Sequence, residues 1–131
     1  MASLKIDQAF TFEFIAGAFG LPIAHENMNY EPVQGTPYAE IKVMPNDTTK
    51  LTLNNSNITD GIFRIHLRYP SGSGAVAAKT KAEEMMLYFA PGNRIGYSGQ
   101  SVLIEKVSRK EGIQNNNWYE IIITLSYWAS V

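Results

Sequence analysis

Residues 118–128 read WYEIIITLSYW. Tyr119, Ile121, Ile123, Leu125 and Tyr127 alternate with Trp118, Glu120, Ile122, Thr124, Ser126 and Trp128, which is the two-residue period of a β-strand. Both sets are largely apolar, so this strand is expected to be covered on both sides. Helices would supply one cover, and a neighbouring sheet or a partner chain the other.

Working back along the chain, residues 111–117 read as a hairpin loop, entered from a strand at 102–110, with a shorter strand at 94–97. Residues 61–69 alternate most clearly: Phe63, Ile65, Leu67 and Tyr69 face one way, Arg64, His66 and Arg68 the other. Between these strands lies a predicted helix at 75–89. Ala75, Ala78, Ala82, Met85, Met86 and Phe89 form its apolar stripe, Ser73 is a candidate cap, and Pro91-Gly92 ends it. Lys79 and Glu83 stand at i,i+4 on this helix.

The first half continues the pattern. Residues 38–44 form a strand with Ala39, Ile41 and Val43 inward and Glu40 and Lys42 outward. Residues 50–53 are a return-strand candidate, 23–26 a short strand, and the Asn-rich segment 54–60 an exposed loop. In residues 3–19, Phe10, Phe12 and Phe14 alternate like a strand, but Ile6, Phe10, Phe14 and Ala18 keep helical spacing. The boundaries favour a helix: Ser3 can cap it, and Gly20 and Pro22 stop it. Phe12 and Phe19 on its second edge then require partners of their own.

Between the first helix and residue 38 the chain is set by prolines. Pro32 and Pro37 fix φ and remove donors, and Glu31 and Thr36 before them are pushed toward extended geometry. The segment 31–38 therefore reads as a stiff surface arm that delivers Tyr38 to its strand.

Composition fits one domain spanning residues 1–131. The chain has 131 residues, 45% of them hydrophobic and 18% charged, with a net charge of −1. A domain of this size buries roughly two thirds of its unfolded surface. The near-neutral balance supplies no global field toward nucleic acid or an anionic membrane. There are no cysteines, which excludes disulfides and thiolate metal sites. Nothing resembles a targeting segment, and no apolar run approaches the roughly 20 residues of a membrane helix. The sequons at Asn46, Asn54 and Asn57 read as polar loop composition.

Tests for chemistry come out bland. His25-Glu26 begins a zincin motif, but Asn29 stands where the second histidine belongs. A carboxylate metal site stays open. Gly72-Ser73-Gly74 lacks the glycine-lysine close of a phosphate loop. Gly96-Tyr97-Ser98-Gly99 is no nucleophile elbow, because Gln100 replaces the closing glycine. Glu83 and Glu84 point about 100° apart on a helix, which suits no acid/base pair. Neither catalytic nor metal residues are assigned, and no cofactor is expected. Arg64, His66 and Arg68 form a positive stripe whose plain reading is a solvent-facing side of the sheet, the alternative being a surface that meets a polyanion or an acidic partner.

Four blocks occur in order: PIAHENMNYEPVQGTPYAEIKVMPND at 22–47, GIFRIHLRYPSGSG at 61–74, FAPGNRI at 89–95 and the final strand. Together they resemble the tail-terminator (tail-completion) family of long-tailed bacteriophages. The resemblance rests on the pair Glu26-Asn27, on Tyr30 to Pro32, on Gly35, Pro37 and Tyr38, and on Pro70, Gly72 and Gly74 opening the second helix.

The fold expected is α+β: a mixed, mainly antiparallel sheet with two helices packed on one face. The resemblance implies a non-enzymatic virion protein, assembled in the host cytoplasm and placed at the head-tail joint. It would form a hexameric ring on the head-proximal end of the tail tube, stop tube polymerisation and dock the head-completion or connector protein. DNA would be passing cargo only, and no membrane is involved. Interface candidates are Glu31, Pro32, Pro37, Tyr38, Asn54 and Trp128, and basic candidates for the ring bore are Arg64 and Arg68. An adaptor or a tube subunit is the runner-up, and a small hydrolase a distant third, for want of a nucleophile with a positioned base.

Overall fold

The computed structural model describes residues 2–130 except Ala18, 26–30, 33–34, 46–48, 51–56, 73–74, Glu111 and 116–117. Two of its elements set the frame. β4 (Asn57–Pro70) and β8 (Trp118–Ser130) pair antiparallel in unbroken register from Ile58↔Ser130 to Pro70↔Trp118. β2 (Tyr38–Pro45) lies antiparallel on the far side of β4, and β1 (Ile23–Ala24) is parallel to β2. β6 (Gln100–Arg109) pairs with the other edge of β8, and β5 (Arg94–Tyr97) with β6. β3 (Thr49–Lys50) and β7 (Ile113–Asn115) pair with β4 and β8. The sheet is mixed and mainly antiparallel, as the alternating pattern predicts.

α1 (Ala2–Ala16) and α2 (Val76–Tyr88) cover one face of this sheet. Ile6, Ala9, Phe10 and Phe14 from α1, and Ala78, Ala82 and Met85 from α2, meet Phe63, Ile65 and Leu67 of β4 and Ile121, Ile123, Leu125 and Tyr127 of β8. Small residues early in α2 let it lie close to the strands. Phe63 is the centre of the aromatic packing. Its ring stacks on Phe10 at 4.5 Å and stands edge-on to Phe89 and Phe14 at 6.0 and 6.5 Å.

The first helix is shorter than its periodicity suggests. It stops at Ala16, and the chain folds back so that Phe19 packs on Phe14, Tyr88 and Phe89. Gly17 permits this return, because a Cβ there would stand 2.7 Å from the Phe19 ring. Phe12 points outward and meets Tyr97 at 6.0 Å. Both aromatic residues of the second edge thus have partners. The backbone carbonyl of Phe19 also accepts a bond from Lys81 Nζ at 2.8 Å, tying α2 to the exit of α1. Lys81 pairs with Glu84 at 2.9 Å, and no Lys79–Glu83 ion pair forms among the described residues.

Two loop expectations are corrected. Residues 57–60 belong to β4, because Asn57 pairs with Lys50 and Thr59 with Ala129; pairing on both sides overrides the weak strand preference of Asn and Asp. Ile113–Asn115 is a strand on β8 rather than loop. The Gly96–Gly99 segment is a hairpin instead. Tyr97 pairs with Gln100 across Ser98 (φ 50°) and Gly99 (φ 87°), both left-handed as a two-residue turn between twisted strands requires. Neither candidate cap holds the cap position: α1 begins at Ala2, so Ser3 lies inside its first turn, and α2 is entered through Ala75 with no side-chain cap. Ser73 and most of the predicted return strand 50–53 lie outside the described residues.

Truncating Phe63 to alanine removes a fully buried ring from four packed aromatics. It should cost about 3–5 kcal/mol in urea or thermal unfolding. Tyr127 gives a pH signature. Its hydroxyl is buried and has no hydrogen-bond partner among the described residues, and burial, then the charges of Asp7 and Asp60, push the phenol up to about 12. The fold therefore favours the neutral phenol. This contribution is intact below pH ~10, where the unfolded phenol is still protonated, and is lost as pH rises toward 12. Tyr127→Phe should abolish that alkaline loss and leave stability at pH 7 unchanged or higher by up to about 1 kcal/mol.

Candidate functional site

The alternation that sends Phe63, Ile65 and Leu67 under the helices sends Ile62, Arg64, His66 and Arg68 to the opposite, helix-free face. Register brings the other strands alongside. Three neighbouring rows cross this face. The first is Tyr38–Arg68–Glu120, the second Glu40–His66–Ile122, and the third Lys42–Arg64–Thr124–Ser108. Beyond them come Met44–Ile62–Ser126–Lys106 and then Asp60–Trp128–Leu103.

The first two rows form a closed network. Arg68 Nε donates to Glu120 Oε2 at 2.7 Å, Nη1 to the Tyr38 hydroxyl at 3.0 Å and Nη2 to Glu40 Oε1 at 3.2 Å. Its guanidinium also lies 5.5 Å over the Tyr38 ring. Burial works to lower the Arg68 pKa, but the bonds to Glu120 and Tyr38 and their charges outweigh it, and the net shift is upward. His66 Nδ1 lies 3.5 Å from the same Glu120 oxygen. Tyr38 is only 5% exposed and stands edge-on to Trp118 at 5.1 Å.

The third row differs. Lys42 and Arg64 are directly opposed like charges, an arrangement that is unfavourable when nothing compensates it. Neither forms an ion pair among the described residues, and Arg64 Nε is buried without a hydrogen-bond partner there. Thr124 and Ser108 extend the row with hydroxyls. The row is thus two cations and two hydroxyls, flanked by the half-buried apolar side chains Ile62, Met44 and Ile122.

The residues singled out from sequence fall into three places. Tyr38, Arg64, Arg68 and Trp128 share the helix-free face, with Tyr38 and Arg68 bound to each other and Trp128 at the other end. Glu31 and Pro32 are exposed on the arm and Pro37 is half-buried; Gly35 between them has φ 86°. Asn54 lies outside the described residues. Lys42, Glu40, Glu120 and Thr124 were not expected at a site. Each sits on a strand whose outward parity is legible, but only the register reveals which of them meet.

Elsewhere, a cleft of about 140 Å³ between α1 and β2 is lined in part by Asp7, Thr11 and His25. Among the described residues, no three histidine or acidic side chains converge as metal ligands would. No helix among them is long and apolar enough to cross a membrane.

Comparison with known proteins agrees with the fold and the motif order. A family model described as phage tail terminator protein matches residues 5–127. No curated protein sequence matches. One similar solved structure, which carries no functional name, superposes with a TM-score of 0.78 over 95% of this chain and 92% of its own. Its sequence identity is 22%, so this likeness speaks for the fold alone. With the family match running over nearly the whole sheet and both helices, the chain belongs to the phage tail terminator protein family, whose members are structural components of the virion tail.

Proposed function

We propose that this protein caps the head-proximal end of the phage tail tube as a ring of identical subunits, six by family resemblance. The ring stops tube polymerisation and presents its far side to the head-completion or connector protein. The observation that carries this reading is the family match over residues 5–127. The helix-free face supports it, because among the described residues it keeps cations without ion pairs beside half-buried apolar side chains, which suits a surface that meets another chain.

The physical logic is that of heterologous contact. A tube subunit repeats along the axis without closing, and a cap must match one end of that repeat while refusing to continue it. Within the cap, head-to-tail contact between copies closes the ring. The exposed arm at Glu31, Pro32 and Pro37, the Asn54 segment and the Trp128 end of the sheet are its candidate contacts. Tyr38 belongs to this set as the enclosed base of the arm. β1 pairs only with Ala39 and Glu40, so the rest of β2 forms a sheet margin among the described residues, suited to strand addition. Each contact can be weak, since six engage together. Of the two arginines expected at the bore, Arg68 is neutralised by Glu120 and Glu40, and Arg64, opposed to Lys42 and without an ion pair among the described residues, suits an arriving acid better than the lumen.

The deciding experiment is tube growth with purified tail-tube protein. Substoichiometric addition, about one ring per tube, should shorten the length distribution and leave discrete rings at one end in negative stain. Long fibres made of this chain alone would identify a tube subunit. Binding to the isolated portal side with no effect on tube length would identify an adaptor. A chain that stays monomeric and never arrests growth refutes the reading.

A further inference from the structure

Among the described residues, the third row of the helix-free face lacks an anion, and the outward side of α2 carries one that lacks a cation. Val76, Glu83 and Leu87 lie within an arc of about 40° on that helix, at 3.6 residues per turn. Val76 and Leu87 are 79% and 77% exposed. Glu83 is exposed and has no ion-pair partner among the described residues, its neighbour Glu84 being the one that pairs with Lys81. The stripe therefore reads apolar, acid, apolar. It lies on the helix side of the molecule, away from the face that reads apolar, cation, apolar.

We propose that these two surfaces are the two halves of one contact between copies of this chain. The outward stripe of α2 in one subunit seats on the helix-free sheet face of the next. The Glu83 carboxylate enters the row between Lys42 and Arg64, and Leu87 packs beside it on Ile62 or Ile122. The spacing agrees: Glu83 to Leu87 is about 6 Å along a helix, and neighbouring rows on one face of a strand are about 6.7 Å apart. Because the halves are different surfaces, the contact is heterologous, and it forms a ring where the rotation between successive copies closes. The inference rests on the ring reading above and names the surfaces that close it.

A second copy fits this row better than a DNA phosphate. Among the described residues the face carries Lys42, Arg64, Arg68, Lys106 and, at its margin opposite Ile122, Lys110 against Glu40, Asp60 and Glu120, a surplus too small to hold a polyanion by field. Its flanking Ile62, Met44, Ile122 and Trp128 are what a protein interface buries, and a phosphate backbone has no use for them. The exposed apolar side of α1, with Leu4, Phe12 and Ile15, has no comparable free acid among its described residues: Glu13 accepts from the Tyr88 hydroxyl.

The test is carbodiimide crosslinking of an equal mixture of ¹⁵N-labelled and unlabelled protein, at the concentration where rings form. The expected product is a Lys42–Glu83 amide joining one labelled and one unlabelled peptide. Lys79 also lies beside the stripe, so charge reversal supplies the second arm. Lys42→Glu and Glu83→Lys should each weaken association about tenfold, and the double variant should recover to within about threefold of wild type. Lys42 is exposed, so these variants do not depend on repacking the core. Wild-type rings with no mixed Lys42–Glu83 peptide and no mutual rescue would overturn the proposal and leave the ring reading standing. Loss of DNA passage in Lys42→Glu that Glu83→Lys does not rescue would assign the row to phosphate instead. A wild-type chain that stays monomeric in solution and on tube ends would overturn both.

Discussion

The uninterrupted pairing of β4 with β8 is the constraint on which the rest depends. Register in an antiparallel pair assigns every side chain to a face, and a slip of one residue would exchange the two faces. With the register as it stands, Phe63, Ile65, Leu67, Ile121, Ile123 and Leu125 share one side and call for two helices over it. The same register places Arg64, Arg68, Glu120 and Thr124 on the other. Core and candidate interface are therefore two consequences of one alignment. A mutation that disturbed the strand pairing would damage both.

The helix-free face is divided by chemistry. Where Arg68 meets Glu120, Glu40 and the Tyr38 hydroxyl, the chain satisfies its own charges, and this end serves to fix the start of β2 and the base of the arm. One row away, Lys42 and Arg64 are left without an acid among the described residues. Opposed like charges lower the stability of an isolated subunit, and an arriving carboxylate would remove that penalty. Such a device would make association favourable without a large apolar patch.

The fold was largely legible in the sequence because its periodicities belong to single elements. The alternation in 61–69 and 118–128 and the stripe of α2 require no knowledge of neighbours. The misreadings occur where neighbours decide. Asn57–Asp60 reads as loop by composition, yet β3 and β8 pair it into the sheet. Ile113–Asn115 is too short to read as a strand until β8 stands beside it. Periodicity alone carries α1 past its end at Ala16, because the return of Phe19 over Gly17 is a tertiary contact. At the candidate site, Arg64 and Arg68 looked equivalent, two residues apart on one strand. The cross-strand partners separate them: one is held by two carboxylates, and the other faces a lysine.

The central claim is that the sheet face without helices is covered by another protein chain when this protein acts. The most direct measurement is cryo-electron microscopy of the head-proximal end of assembled tails. The account predicts a closed ring of this chain at that end, one subunit thick, with the side chains around Lys42 and Arg64 buried against a neighbouring subunit. A ring in which that face lies open to the lumen or to solvent, or a tail end without this chain, would contradict it.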